Sequence, residues 1–319
     1  NPFGFKDELV KMNPPRGNAN LDRPAGPTDP TLSFLVFREP DGELISIFGT
    51  YSLHYVGGVP RGHVSADYFG IVCDELARFT HGDQTDPPCV AMLANGTSGD
   101  INNINFRERS VKREPYEQMR FVAKDVAAKI LEAMKGLHYS KDVPLDVRYA
   151  EPLIKARHPT RKELNWANRV KEEPVNQESR KTLSQIYADR VLALEKQPDS
   201  FPVPLQVFKI GPVCIGTMPC EVFCEIGLEF RRRSGGDPGF LVSLSHGYLG
   251  YLPTPRQHDY GGYETWPGTN RLTRDASETM LSTLIEMCAE VNAPRQSNQP
   301  PQDVSQFQID PGLVIDLVA

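Results

Sequence analysis

Apolar residues dominate 31–37 and recur through 43–51, the pattern of two strands, and the Pro40-Asp41-Gly42 step between them predicts a β-hairpin. The pattern then changes. Residues 65–79 follow a helical period, with Ser65 as the expected N-cap. Residues 89–93 are a short apolar run between Pro87-Pro88 and Asn95-Gly96, which predicts a buried strand running into a polar loop. Val122, Val126, Ile130 and Met134 share one face of a helix expected over 116–134. A second hairpin is expected from 203–210 and 213–218 around Gly211-Pro212. It is followed by a helix starting near Glu221, a strand at 240–244 and an amphipathic helix over 273–292.

Three stretches stand outside this pattern. Residues 1–30 are rich in Pro, Gly and Asn and read as an extended lead-in with no core of its own. Residues 155–200 carry two charged helical patches, 161–171 and 179–196, around Pro174. Their apolar content is too low for an independent core, so they read as a helical hairpin on the surface. Residues 293–319 read as a linker ending in one possible strand at 312–318, which either joins this sheet or opens a further domain. Hairpins mixed with crossover helices predict an α/β fold on a mixed sheet, with residues 31–292 as a single large domain.

Composition narrows the functions. At 319 residues, with 39% hydrophobic and 24% charged, the chain can build a sizeable core, which excludes a disordered protein. A net charge of −6 lacks the basic footprint of a nucleic-acid binder. No apolar run approaches the ~20 residues of a membrane-spanning helix. The six cysteines show no CxxC pair and no zinc-finger spacing, so they are expected to be small apolar fillers. The chain begins at Asn1, and we expect either a removed leader or a longer parent protein.

Four polar elements end apolar strands, where catalytic side chains of α/β folds commonly sit. They are His54, followed by Tyr55-Val56-Gly57-Gly58; Glu221, after Met218-Pro219-Cys220; the stretch Tyr248-Leu249-Gly250-Tyr251, followed by Tyr263; and the loop Asn95-Gly96-Thr97-Ser98-Gly99-Asp100-Ile101-Asn102. Each also has an ordinary structural reading: a satisfied histidine, a glutamate at a helix N-terminus, packed tyrosines, a plain turn.

Taken in order with Ser65-Ala66-Asp67-Tyr68, these segments resemble the neutral/alkaline ceramidase family from about Pro24 to about Asn292, the later part of its catalytic domain. The resemblance implies a zinc-dependent amidase acting on an N-acyl bond, with a small-molecule or lipid amide as substrate and an extracytoplasmic location, secreted or periplasmic. It implies His54, Glu221 and Tyr251 as Zn²⁺ ligands and Tyr263 as a tyrosine beside the scissile amide. A further zinc histidine and an arginine of the family would lie before Asn1, so the chain is expected to begin inside the domain. The family's active serine follows its Gly-Asp-hydrophobic step, and here Asn102 stands there. An amide cannot act as nucleophile but can donate to an oxyanion, so the expected attacking group is water, with Asn102 and Tyr263 assisting. Two other readings use the same residues: a relative that binds a metal or ligand without turnover, and a structural surface protein. Bound zinc separates the structural protein from the hydrolase and the binding-only relative; turnover of an N-acyl substrate separates the hydrolase from the binding-only relative.

Overall fold

The computed structural model describes residues 1–4, 8–141, 143–173 and 181–293, together with the backbone of 314–318. In chain order its elements are β1 (Leu32–Arg38), β2 (Leu44–Tyr51), α1 (Asp67–Phe79), β3 (Val90–Asn95), α2 (Glu117–Met134), β4 (Tyr139–Ser140), β5 (Leu145–Ala150) and β6 (Leu153–Lys155). Then come α3 (Arg161–Glu172), α4 (Leu183–Glu195), β7 (Ser200–Pro202), β8 (Leu205–Ile210), β9 (Val213–Thr217), β10 (Glu221–Val222), α5 (Cys224–Arg233) and β11 (Gly239–Val242). The last are β12 (Tyr251–Leu252), α6 (Pro255–Tyr260), α7 (Ala276–Asn292) and β13 (Val314–Val318).

The fold is α/β, as the hydrophobic pattern predicts, but its strands form two main sheets rather than one. The first has the order β3-β2-β1-β13-β4 and the second β11-β9-β8-β5. Both are mixed: β2 runs parallel to β3 and β9 parallel to β11, while β1–β2 and β8–β9 are antiparallel hairpins.

The two-residue period of the strands builds three apolar layers from these two sheets. On β1, Phe34 and Val36 face the helices and join Tyr68, Val72 and Leu76 of α1 with Met119, Ala123 and Ile130 of α2. Leu35, on the opposite face, meets Val213, Ile215 and Phe240 of the second sheet. On β9, Cys214 turns the other way, into a core with Phe230 of α5 and Leu284, Met287 and Cys288 of α7. The order of layers is therefore helices, sheet, sheet, helices. All six cysteines are free thiols and five are buried, consistent with apolar filling.

The helical hairpin is present as α3 and α4, each opened by a capping box: Thr160 with Glu163, and Thr182 with Gln185. Residues 174–180 between them, and residues 294–313, which the sequence reads as a linker, lie outside the described residues. The hairpin is not a detached surface feature. Trp166, Val170, Tyr187 and Val191 bury against Trp266 and against Phe3 of the lead-in, whose ring sits 4.7 Å from Trp166. The final strand joins this same sheet, β13 pairing antiparallel with β1 on one side and β4 on the other.

Two boundaries differ from the sequence expectation. Ala66 rather than Ser65 occupies the N-cap of α1, and the Ser65 hydroxyl accepts the Asp67 N–H at 3.0 Å. Glu221 does not open a helix; it lies in the two-residue strand β10, and α5 begins three residues later.

Candidate active site

The C-terminal ends of the parallel pairs β2–β3 and β9–β11 meet, because the Ser243 N–H after β11 donates to the Asn95 carbonyl at the end of β3 at 2.9 Å. Four strand exits therefore open at one end of the two-sheet stack, the place where open α/β sheets gather polar side chains. His54 leaves β2, the loop 96–102 leaves β3, Glu221 follows β9, and the segment to Tyr251 follows β11.

The site is assembled around β10 and β12, where Glu221 and Tyr251 are directly paired in a parallel bridge. Two close backbone approaches hold that bridge. Gly250, at φ +82°, lies so near Thr269 that a Cβ would come within 2.2 Å of its carbonyl oxygen. Gly99 donates its N–H to the Val222 carbonyl at 2.8 Å, and a Cβ there would reach 2.5 Å from the Glu221 oxygen. Only glycine fits either place. The β3 loop is thus pressed onto the strand that carries Glu221.

Three of the expected site residues come together. His54 Nε2 lies 3.2 Å from Glu221 Oε2 and 3.5 Å from the Tyr251 hydroxyl. A fourth group, which the motif reading left without a role, completes the arrangement: the Tyr248 hydroxyl donates to Glu221 Oε1 at 2.7 Å. Tyr251 is buried, and the Glu221 side chain is only 14% exposed. Burial pushes the Glu221 carboxyl up, but the hydrogen bonds from His54, Tyr248 and Tyr251 outweigh it and hold it below the ordinary glutamate value. Burial and the Glu221 charge push both tyrosine hydroxyls well above their usual range, so both remain protonated donors at neutral pH.

Tyr263 stands beside this cluster. Its ring centroid lies 5.8 Å from that of Tyr251 and 5.4 Å from that of Trp266, both edge-on. The neighbouring Glu264 is pushed up by burial and by the nearby Glu221 and Glu8 charges. Sequence order alone does not single out the group that secures this turn, Arg157, a largely buried guanidinium. Its Nη1 donates to the Thr265 carbonyl at 2.6 Å and to Asn270 Oδ1 at 3.2 Å.

Asn102 is placed differently. Its side chain is exposed and donates to Asn13 Oδ1 of the lead-in at 3.0 Å, and among the described residues no hydrogen bond joins it to His54, Glu221 or Tyr251. Ser98 is buried and donates to Asn95 Oδ1 at 2.8 Å, a structural bond. Asp100 accepts the Cys224 N–H at 2.7 Å, tying the loop to the first turn of α5, and burial raises its carboxyl to about 7.

Among the described residues no three His, Cys, Asp or Glu side chains gather as a metal-binding group. The Tyr251 phenol oxygen lies beside the His54–Glu221 pair. Donors bound to one tetrahedral Zn²⁺ at ~2.0–2.2 Å stand about 3.4 Å apart. The spacings of 3.2 and 3.5 Å match that separation, and a nitrogen with two oxygens suits zinc.

The fold has counterparts among solved structures. Neutral ceramidase from Pseudomonas aeruginosa superposes with a TM-score of 0.58 at 17% identity, covering 95% of this chain and 54% of that one. A ceramidase complexed with C2 gives 0.60 at 15% identity, covering 91% of this chain and 52% of that one. The chain spans about half the length of these structures, and its fold is ceramidase-like. No family model matches the chain, and no curated protein matches it. Among the described residues no helix is long and apolar enough to cross a membrane.

Proposed function

We propose that this chain acts as a zinc-dependent hydrolase of amide (N-acyl) bonds, outside the cytoplasm, on a lipid-like or small amide. The observation that carries the reading is the meeting of His54, Glu221 and Tyr251 from three separate strand exits in a ceramidase-like fold. His54 Nε2, Glu221 Oε2 and the Tyr251 oxygen would hold the ion. A bound Zn²⁺ supplies Lewis acidity, polarising a carbonyl oxygen and acidifying water.

The chain's own groups supply the rest. Tyr248 keeps Glu221 ionised and pointed inward through its 2.7 Å bond. Tyr263, packed edge-on against Tyr251, would serve as a donor for a developing oxyanion. Asn102 stands where the ceramidase serine is expected, and an amide offers hydrogen bonds but no nucleophile, so water is the attacking group. Because Asn102 is bonded to Asn13, it reaches the substrate only by exchanging that partner for it.

The test is a panel of N-acyl substrates of different chain lengths, assayed for fatty-acid release. The reading expects turnover that a chelator abolishes and added zinc restores. Stoichiometric zinc binding without turnover on any substrate would favour the binding-only relative.

A further inference from the structure

His54 is gripped by two residues that carry no role in the site described so far. Asp67, at the start of α1, is a buried carboxylate whose two oxygens accept from the chain just after the histidine: Oδ1 from the Val56 N–H and Oδ2 from the Gly57 N–H, both at 2.8 Å. Its neighbour Tyr68, fully buried, donates its hydroxyl to the Leu53 carbonyl just before the histidine at 2.9 Å. One pair of adjacent residues therefore pins the backbone on both sides of His54. Two successive N–H groups closing on one carboxylate form an anion-binding concavity, here filled by the protein's own side chain.

The backbone at Asp67 is unusual. Its φ is +56°, a left-handed value that residues other than glycine, asparagine and aspartate adopt only with strain. Glycine would fit that conformation at least as readily, but it would give up the bonds to Val56 and Gly57, and the one that Oδ1 accepts from the Tyr68 N–H at 2.7 Å. A side chain kept in a conformation open to glycine has its use in what the carboxylate holds.

We propose that Asp67 is the positioning residue for His54, fixing the imidazole so that Nε2 faces Glu221 and Tyr251. The inference builds on the zinc-site reading, and its direct readout needs no metal. Groups that orient a metal-binding histidine typically change metal affinity about 10–100-fold when removed.

The experiment compares the metal-free chain with Asp67→Asn, Asp67→Gly and Ser65→Ala in the two-bond ¹H–¹⁵N spectrum of the histidines, with His54 assigned by its own substitution. Asn keeps one acceptor and turns a donor toward the second N–H; Gly removes both acceptors and fits the φ. Both tolerate the left-handed backbone, so one guards against misfolding of the other. Ser65→Ala loosens the same turn without touching residues 53–57, and serves as the structural control. His54 cross-peaks should shift or broaden in both Asp67 variants and stay unchanged in Ser65→Ala, and zinc titration should show about 10–100-fold weaker binding in the Asp67 variants. Unmoved His54 cross-peaks in both Asp67 variants overturn the proposal, whatever the zinc affinity. If the wild-type chain takes up no zinc while Asp67→Asn still moves His54, the zinc reading falls and the positioning role stands.

Discussion

His54 Nε2 and Glu221 Oε2 stand 3.2 Å apart although 167 residues separate them in the chain. The contact spans the two sheets: His54 leaves β2 of the first, and Glu221 follows β9 of the second. It exists because the β3 and β11 exits are tied together and because Gly99 lets the β3 loop close on β10. A charge-capable pair at the shared end of two packed sheets needs both sheets in place. Site geometry and the sheet-to-sheet core of Leu35, Val213, Ile215 and Phe240 are thus coupled.

Gly250 is the first place to test that coupling. Gly250→Ala would drive a methyl into the Thr269 carbonyl and impose a side chain at φ +82°. The expected loss is at least about 2 kcal/mol in urea unfolding, well beyond an ordinary surface change. A loss under about 0.5 kcal/mol would mean that the β12 turn is not held as described.

Asp100 predicts a pH effect with a definite sign. Its carboxyl rises from an ordinary 3.8 to about 7 on folding, so the folded state holds a proton that the unfolded state releases. The stabilisation is complete below the unfolded value and is lost as pH rises through about 7. Asp100→Asn keeps the acceptor for the Cys224 N–H but cannot ionise. The difference in stability between the variant and the wild type should therefore grow in the variant's favour from pH 4 to pH 8, on the order of 1 kcal/mol or more. Equal pH slopes for the two would show that Asp100 titrates normally.

The β3 loop separates two modes of attack. With water attacking, Asn102→Ala lowers turnover of an N-acyl substrate, while Ser98→Ala keeps most of it. The latter change costs about 1 kcal/mol of stability through the lost bond to Asn95. An acyl adduct on Ser98, detected by mass spectrometry, would contradict the assignment.

The long elements were legible in sequence because their periods run over many residues. The β1–β2 hairpin, α1, α2, the β8–β9 hairpin and α7 fall where the hydrophobic pattern places them, within a few residues. Residues such as Leu35 and Cys214 read simply as apolar. Which of two cores each enters is decided by how the sheets stack, which a run of apolar residues does not encode. The bridge of β10 with β12 escaped for another reason: two residues carry no period, so Glu221 read as a helix start. His54, Glu221 and Tyr251 stand out in sequence through the family resemblance that their order along the chain carries. Tyr248, three residues before Tyr251, carries no distinguishing signal in sequence, because only the folded turn shows that both hydroxyls reach one carboxylate. The Asp67 grip on Val56 and Gly57 has no sequence signature, since it depends on a positive φ.

The central claim is that His54, Glu221 and Tyr251 together hold zinc, and a zinc titration of the metal-free chain against a chromophoric competitor tests it most directly. The wild-type chain should bind one Zn²⁺. His54→Ala and the near-isosteric Glu221→Gln should each weaken binding by more than about tenfold, and Tyr251→Phe should weaken it while leaving the fold intact. One zinc bound with the same affinity in all four proteins, or no zinc bound by the wild type, would contradict the account.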